Sequence, residues 1–347
     1  MFFIRLTSIM PEASFKPYRI FVDRSVENLP LTQRVLRKFP SVPVERVDDP
    51  KTLKKPAPMT KKNLLLTQMK ADPIKEFGAM SKSARRPYYS LDLISNCHLE
   101  CTYCILQSYL ENNPLITVYT NIEEILERLG SQMIHLPIGS VIGTGRIADS
   151  LALDGISEHN RLLVPFFGRS GERARQASPL LELKTKSNRI DGLLGLNHGG
   201  QTVVSWSMNP SAIIEREEYK TASFEERIKA AQRVLEAGYP VGFHFDPMIF
   251  HEEWKRNYTD AVKKLFRKIP DQKIAWVSVG TLRFPARQGR IMEKRFPKNL
   301  SIHEGLLSTH HTFLHYPDSL REEMQSWMQL HLSRHLPAEK VYRCMDF

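Results

Sequence analysis

Between residues 88 and 284, strand-like runs alternate with amphipathic helical stretches, and this alternation leaves the chain few folds to choose from. The runs are "SLDLIS", "GSVIGTG", "LLELKTKS", "TVVSWSMN", "YPVGFHFDP" and "KIAWVSVGTLRF". Between most of them lie helical stretches such as "IEEILERLGSQM", "SFEERIKAAQRVLEAG" and "YTDAVKKLFRKI". The clearest helix opens on a capping box, Ser223 with Glu226, and stops at Gly238. Strands alternating with helices build a parallel α/β sheet, either open or curled into a barrel. In both forms ligands gather at the carboxyl ends of the strands. Cys97, Gly143, Lys186, Ser207, Asp246 and Arg283 all fall at or just past the end of a run.

The flanks read differently. "YRIFV" and "VPVERV" bracket a stretch with Leu31, Val35 and Leu36 at helical spacing, which predicts a small α/β element within residues 1–50. Residues 51–87 are rich in Lys and Pro at their start and are expected to form a basic linker or arm that includes Lys54, Lys55, Lys61 and Lys62. The alternating unit occupies 88–300. A C-terminal extension, 301–347, ends in an amphipathic helix with Leu320, Met324, Trp327, Met328 and Leu332 on one face.

No run of 18 or more apolar residues occurs, and Arg5 and Glu12 interrupt the stretch where a secretory signal would lie. A cytoplasmic protein with no membrane partner is expected. The formal net charge of +11 favours a polyanionic partner, of which nucleic acid is the commonest.

Three of the four cysteines, Cys97, Cys101 and Cys104, crowd into "SNCHLECTYCILQ". A disulfide framework would use its cysteines in evenly placed pairs, so this cluster points to a metal. Structural zinc wants four protein ligands; only the distant Cys344 could complete such a set, and His98 would struggle to turn to the metal held by its neighbour Cys97. Three thiolates on one short loop better suit a cubane iron–sulfur cluster with one iron left open. His244, Asp246 and His251 are not expected to form a second metal site, and "STHHTFLH" reads as a polar loop.

The C-x-x-x-C-x-x-C spacing, with Tyr103 before the last cysteine, resembles the radical S-adenosylmethionine superfamily. The chain further resembles the spore photoproduct lyase family in "YCILQSYLENNPLITVYTNIEEIL", "KSNRIDGLL", "WSMNP", "AGYPVGFHFDPMIFHEEWKRNY", "RFP" and "EKRFP". The resemblance implies a partial (β/α)6 TIM-type barrel. It also implies a 4Fe-4S cluster on Cys97, Cys101 and Cys104, with S-adenosylmethionine on the open iron. Tyr103 would lie near the adenine, Gly143, Thr144 and Gly145 near the methionine amino group, Lys186 near its carboxylate, and Ser207 and Asn209 near the methionine moiety or ribose. The implied partners are DNA carrying a thymine lesion and an electron donor such as flavodoxin or ferredoxin.

The family departs from this chain at its substrate half. Its hydrogen-donating cysteine after the second barrel strand has no counterpart in "SVIGTGRIADSLALD", and the aromatic after its last cluster cysteine is Ile105 here. Its DNA-wedging hairpin is not evident in "SIHEGLLSTHHTFLHYPDSL". Tyr103 and Cys344 are the candidate substitute donors. Two other functions stay open: a radical enzyme acting on another nucleic acid or a small molecule, and a non-catalytic iron–sulfur protein that binds nucleic acid.

Overall fold

The strand Leu180–Thr185 shows how the sequence sets the architecture. Leu181 and Leu183 join the main apolar core, whereas Glu182 points the opposite way and bonds to Ser205 on the next strand and to Trp276 across the curl. Alternate residues of a strand face opposite sides, so the sheet has an outer face under helices and an inner face that is partly polar. The computed structural model describes residues 15–53, 61–84, 86–109, 115–174, 178–299, 305, 307–309 and 313–344.

Eight strands form the curled sheet. Their order is Val341–Arg343, Ile274–Thr281, Val241–Met248, Thr202–Ser207, Leu180–Thr185, Val141–Gly143, Tyr88–Leu91 and Ile74–Glu76. All neighbours pair in parallel except the last pair, which is antiparallel. This is the half-barrel expected, with one strand added at each edge. The helix Gly78–Ala84 touches both Tyr88–Leu91 and Val341–Arg343 and so spans the gap between the two sides. Its Met80 packs with Tyr88, Val141, Val203, Trp276 and Cys344 in a small core inside the curl.

The N-terminal element is larger than the sequence suggests. Its five strands run in the order Val44–Val47, Arg19–Asp23, Asn63–Thr67, Ile116–Tyr119 and Ile94–Ser95. Residues 63–67, expected within a basic linker, are a fully buried strand between two parallel neighbours. Three consecutive leucines there are the buried run of a parallel sheet, which the lysines and prolines before them obscure. Lys54 and Lys55 lie outside the described residues.

The helices follow the sequence closely. Phe224–Glu236 opens on the Ser223–Glu226 capping box, which satisfies two otherwise unpaired amide groups. The terminal helix Asp318–Leu332 buries Met324, Met328 and Leu332. Each fully buried apolar side chain contributes about 1.5–3 kcal/mol relative to exposure. Strands Leu307–Thr309 and Phe313–His315 pair antiparallel, and the second pairs with Arg283–Pro285. A hairpin is therefore present where the sequence showed none, although His310 and His311 lie outside the described residues. Among the described residues no helix is long and apolar enough to cross a membrane.

Candidate active site

The cysteine loop is fixed at both ends before any ligand is considered. Asn96 takes a left-handed backbone conformation, φ 74°, and its side chain accepts from the Cys97 amide at 2.9 Å. Further on, Glu100–Cys101 pairs antiparallel with Glu218–Tyr219. Thr102 donates through its hydroxyl to Glu217 at 2.6 Å. The Gln107 amide donates to the carbonyls of Cys101 at 3.2 Å and Thr102 at 2.7 Å. Lys61, from the expected basic arm, donates to the Leu99 carbonyl at 3.0 Å.

All the chain's cysteines are free; Cys97 and Cys101 are buried, and Cys104 is half-buried. Burial, then the nearby Asp149 carboxylate, pushes the Cys97 thiol up to about 12. Burial also raises Cys101 well above its ordinary value, with Cys104 and Cys97 adding to the shift. The three thiols thus feel one another. Among the described residues no three His, Cys, Asp or Glu side chains converge closely enough for a single metal ion. Three soft sulfur donors on one short loop fit an iron–sulfur cluster.

Beside the loop lies a buried polar hub centred on Glu218, whose side chain is 0% exposed. Tyr103 donates its hydroxyl to the Glu218 carboxylate. Lys186 Nζ lies 3.1 Å from both the Glu218 carboxylate and the Tyr103 hydroxyl oxygen, and Asn209 donates to Glu218 at 2.9 Å. Arg227, itself fully buried, donates to the other carboxylate oxygen at 2.6 Å and to the Ser207 carbonyl at 2.8 Å. Burial alone would raise the Glu218 carboxyl, but Lys186 and Arg227 hold it well below the usual range. Tyr258 donates to Asn209 Oδ1 at 2.7 Å and fixes the orientation of that amide.

The structure therefore brings Tyr103, Lys186 and Asn209 together. Ser207 enters through its carbonyl, at the end of the same strand that leads to Asn209. Glu218 and Arg227 escaped the sequence reading. So did Asp149, which accepts from the Lys186 amide at 2.7 Å and the Thr185 hydroxyl at 2.6 Å and so pins that strand end.

Gly143, Thr144 and Gly145 are engaged by neighbouring strands. A Cβ on Gly143 would lie 2.0 Å from the Tyr88 hydroxyl oxygen, so glycine leaves room for Tyr88 to donate to Glu182. At Gly145 a Cβ would meet Lys184 Cβ at 2.8 Å. The Thr144 hydroxyl donates to Ser150 at 2.7 Å.

Inside the curl, Glu182 is fully buried and accepts from Tyr88, Ser205, His244 and Trp276. His244 also pairs with Ser278 at 2.6 Å, and His251 with the Ile249 carbonyl at 3.0 Å. Asp246 and Arg283 pair at 3.2 Å. Cys344, near the chain end, is drawn in among these groups. Its amide donates to Val279 at 2.7 Å, its sulfur lies 4.0 Å from Met80 Sδ, and only 1% of the residue is exposed. Burial, then the Asp246 carboxylate, raises its thiol far above the ordinary value.

A half-barrel with three thiols on one loop and a lysine and an asparagine at adjacent strand ends defines a protein of the radical S-adenosylmethionine class. A family model described as spore photoproduct lyase matches residues 59–343. The spore photoproduct lyase of Bacillus subtilis (strain 168) is 29% identical over 213 residues, 60% of this chain and 60% of that protein. That of Clostridium acetobutylicum is 28% identical over 187 residues, 54% of each chain. The aligned segments thus span less than two thirds of these relatives. A solved mutant spore photoproduct lyase with bound AdoMet and dinucleoside spore photoproduct has the same fold, with a TM-score of 0.82 at 22% identity over 96% of this chain and 100% of that one. The chain belongs to the spore photoproduct lyase family.

Proposed function

We propose that this protein is a radical S-adenosylmethionine lyase that splits a thymine–thymine lesion in DNA. The observation that carries the proposal is the joining of the cysteine loop to Lys186 and Asn209 through the Glu218 hub. A 4Fe-4S cluster on Cys97, Cys101 and Cys104 would supply, once reduced, the electron that cleaves a sulfonium C–S bond of S-adenosylmethionine to a hydrogen-abstracting 5′-deoxyadenosyl radical. Lys186, held at 3.1 Å from Glu218, would pair through its ammonium group with the cofactor carboxylate. Asn209, oriented by Tyr258 and Glu218, would meet the methionine moiety or ribose. Tyr103, held by Glu218, would place its ring near the adenine.

The lyase relatives supply the substrate class: solved homologues hold dinucleoside spore photoproduct. Within this chain we assign the hydrogen return to Cys344. A lesion joined by one bond between two thymines is an isomer of the two separate bases, so a hydrogen atom removed must be returned. The buried Cys344 thiol stays protonated, the form that can give up a hydrogen atom. The thiyl radical it leaves takes back the hydrogen atom first abstracted, and hydrogen and electrons balance.

The test is anaerobic incubation of cluster-loaded, dithionite-reduced protein with S-adenosylmethionine and dinucleotide spore photoproduct, with products followed by mass. Conversion to thymines is expected. Formation of 5′-deoxyadenosine with no thymine would mean another substrate.

A further inference from the structure

The helix Ala286–Arg295 is fastened to the cysteine loop by one face and presents cations on the other. On the inner face the Gln288 amide donates to the Tyr103 carbonyl at 2.9 Å, and the Ser108 hydroxyl donates to Gln288 at 3.0 Å. Arg295 donates at 2.9 Å to Gln107, the residue that holds the Cys101 and Thr102 carbonyls. On the outer face Arg287, Arg290 and Lys294 are exposed, at spacings that place them on one side of a helix. With Ile291 and Arg295 they line an open depression. Glu293 is the helix's one acidic residue. The adjoining turn exposes Ile105, 43%, and Tyr109, 62%. Cys104, directly before Ile105, is the least buried of the three clustered thiols.

We propose that this face is the docking surface for a small acidic one-electron carrier protein. The inference rests on the proposed function, because it needs a cluster behind Cys104. Reductive cleavage draws one electron from the cluster, and re-forming the cofactor returns it, so the carrier is needed to prime the cluster: the carrier is oxidised by one electron, the cluster is reduced by one, and no proton moves. Electron transfer slows steeply with distance, so a carrier gains by docking on the side where the thiol layer is thinnest. A cationic helix face with exposed apolar side chains on the adjoining turn suits a short-lived complex with an acidic partner, since the charges steer encounter and the apolar contacts hold register. Nucleic acid is the other polyanion such a face could meet. Its bases stack on exposed aromatic rings as readily as a protein packs on them, but it gains nothing from nearness to Cys104, whereas an electron carrier does.

The experiment uses cluster-loaded full chain and an acidic flavodoxin as probe. Affinity is measured by calorimetry at low and high salt, and cluster bleaching by reduced flavodoxin is followed by stopped flow. Wild-type affinity should fall as salt screens the charges. Arg290→Glu with Lys294→Glu should weaken binding about tenfold or more, since like charges placed opposite each other repel. Bleaching should slow in parallel, while dithionite still reduces the variant fully. Arg290→Glu alone provides a milder variant should the pair misfold, and Arg290→Lys should restore binding. Flavodoxin affinity unchanged in the charge-reversed variant, or absent in wild type, would overturn the proposal. So would loss of duplex DNA affinity in the variant with flavodoxin binding intact, which would assign the face to nucleic acid. Failure of the lyase reading registers separately, as dithionite-reduced wild type that converts no dinucleotide spore photoproduct to thymines.

Discussion

The Tyr103 hydroxyl donates to the Glu218 carboxylate across 115 positions of sequence, and the same carboxylate receives Lys186, Asn209 and Arg227. One buried anion thus binds the cysteine loop to the strand ends where the cofactor is expected. Removing one partner of a fully buried pair strands the other charge. Glu218→Gln should therefore destabilise the fold by about 3–5 kcal/mol, because Arg227 keeps its charge without a counter-ion. Urea unfolding of the metal-free protein measures this, and a loss below about 1 kcal/mol would show that the hub is not held by its charges. Lys186→Met should leave cluster content intact and weaken S-adenosylmethionine binding about tenfold or more, as read by equilibrium dialysis.

The cluster prediction concerns stoichiometry. Anaerobic reconstitution should load about four iron and four sulfide per chain, as a cysteine-held cubane implies. Cys97→Ala, Cys101→Ala and Cys104→Ala should each lose most of that iron, whereas Cys344→Ala should keep it. One equivalent of zinc without a visible iron–sulfur absorption band would overturn the assignment.

The parts of the candidate site legible in the sequence are those with a local signature or a family resemblance. The three cysteines share one loop, whose spacing points to a cluster, whereas Lys186 and Asn209 were singled out by resemblance to the family's strand ends. Glu218 lies in the charged run "EREEYK", which has no strand period, and its role arises only when a two-residue strand pairs with Glu100–Cys101. Arg227 points inward from a helix whose apolar spacing gave no hint of a buried guanidinium. The strand Asn63–Thr67 was hidden for the opposite reason, because a strongly apolar run stood beside a lysine- and proline-rich one. The placement of Cys344 depends on Val341–Arg343 joining the far edge of the sheet, a nonlocal pairing that a three-residue strand does not signal.

Gly143 and Tyr88 should be coupled. Gly143→Ala puts a methyl group where the Tyr88 hydroxyl lies, forcing that ring off Glu182, and should cost about 1–3 kcal/mol. Tyr88→Phe removes the obstructing oxygen and leaves the ring Cζ, 2.8 Å from the added methyl group, to shift by much less. The double variant should therefore be more stable than the sum of the single losses allows, a coupling that denaturant titrations of all four proteins would reveal. Strict additivity would show that the contact is not what keeps position 143 glycine.

Stability should carry a pH signature from Asp154. Burial first, then the neighbouring Glu158, raises its carboxyl to about 6. The folded pKa lies above the unfolded value, so the folded chain prefers the protonated form. The stability this contributes is complete below about pH 4 and is lost as pH rises through about 6, a swing of about 3 kcal/mol. Asp154→Asn removes the swing. The variant's stability relative to wild type should improve between pH 4 and pH 7, and a pH-independent difference would contradict the assignment.

The last prediction separates a lyase from a radical enzyme with another substrate. Segment 143–149 offers no thiol, and Cys344 stands inside the curl beside Asp246 and Arg283. If its S–H returns the hydrogen atom, Cys344→Ala should still bind the cluster and still form 5′-deoxyadenosine from the lesion. Thymine yield should fall steeply, and the unquenched product radical should appear as adducts by mass. Cys344→Ser is the sharper variant: its hydroxyl can still donate to Asp246, so packing and charge are kept, but an O–H bond does not readily release a hydrogen atom. Loss of thymine in both variants with normal cofactor cleavage would assign the hydrogen return to the thiol. Full thymine yield from Cys344→Ser would instead exclude it and leave Tyr103 as the remaining candidate, although its hydroxyl is already committed to Glu218. Solvent deuterium adds an independent readout. A thiol that exchanges with D2O should deliver deuterium into thymine during wild-type turnover, and the label should vanish in Cys344→Ser.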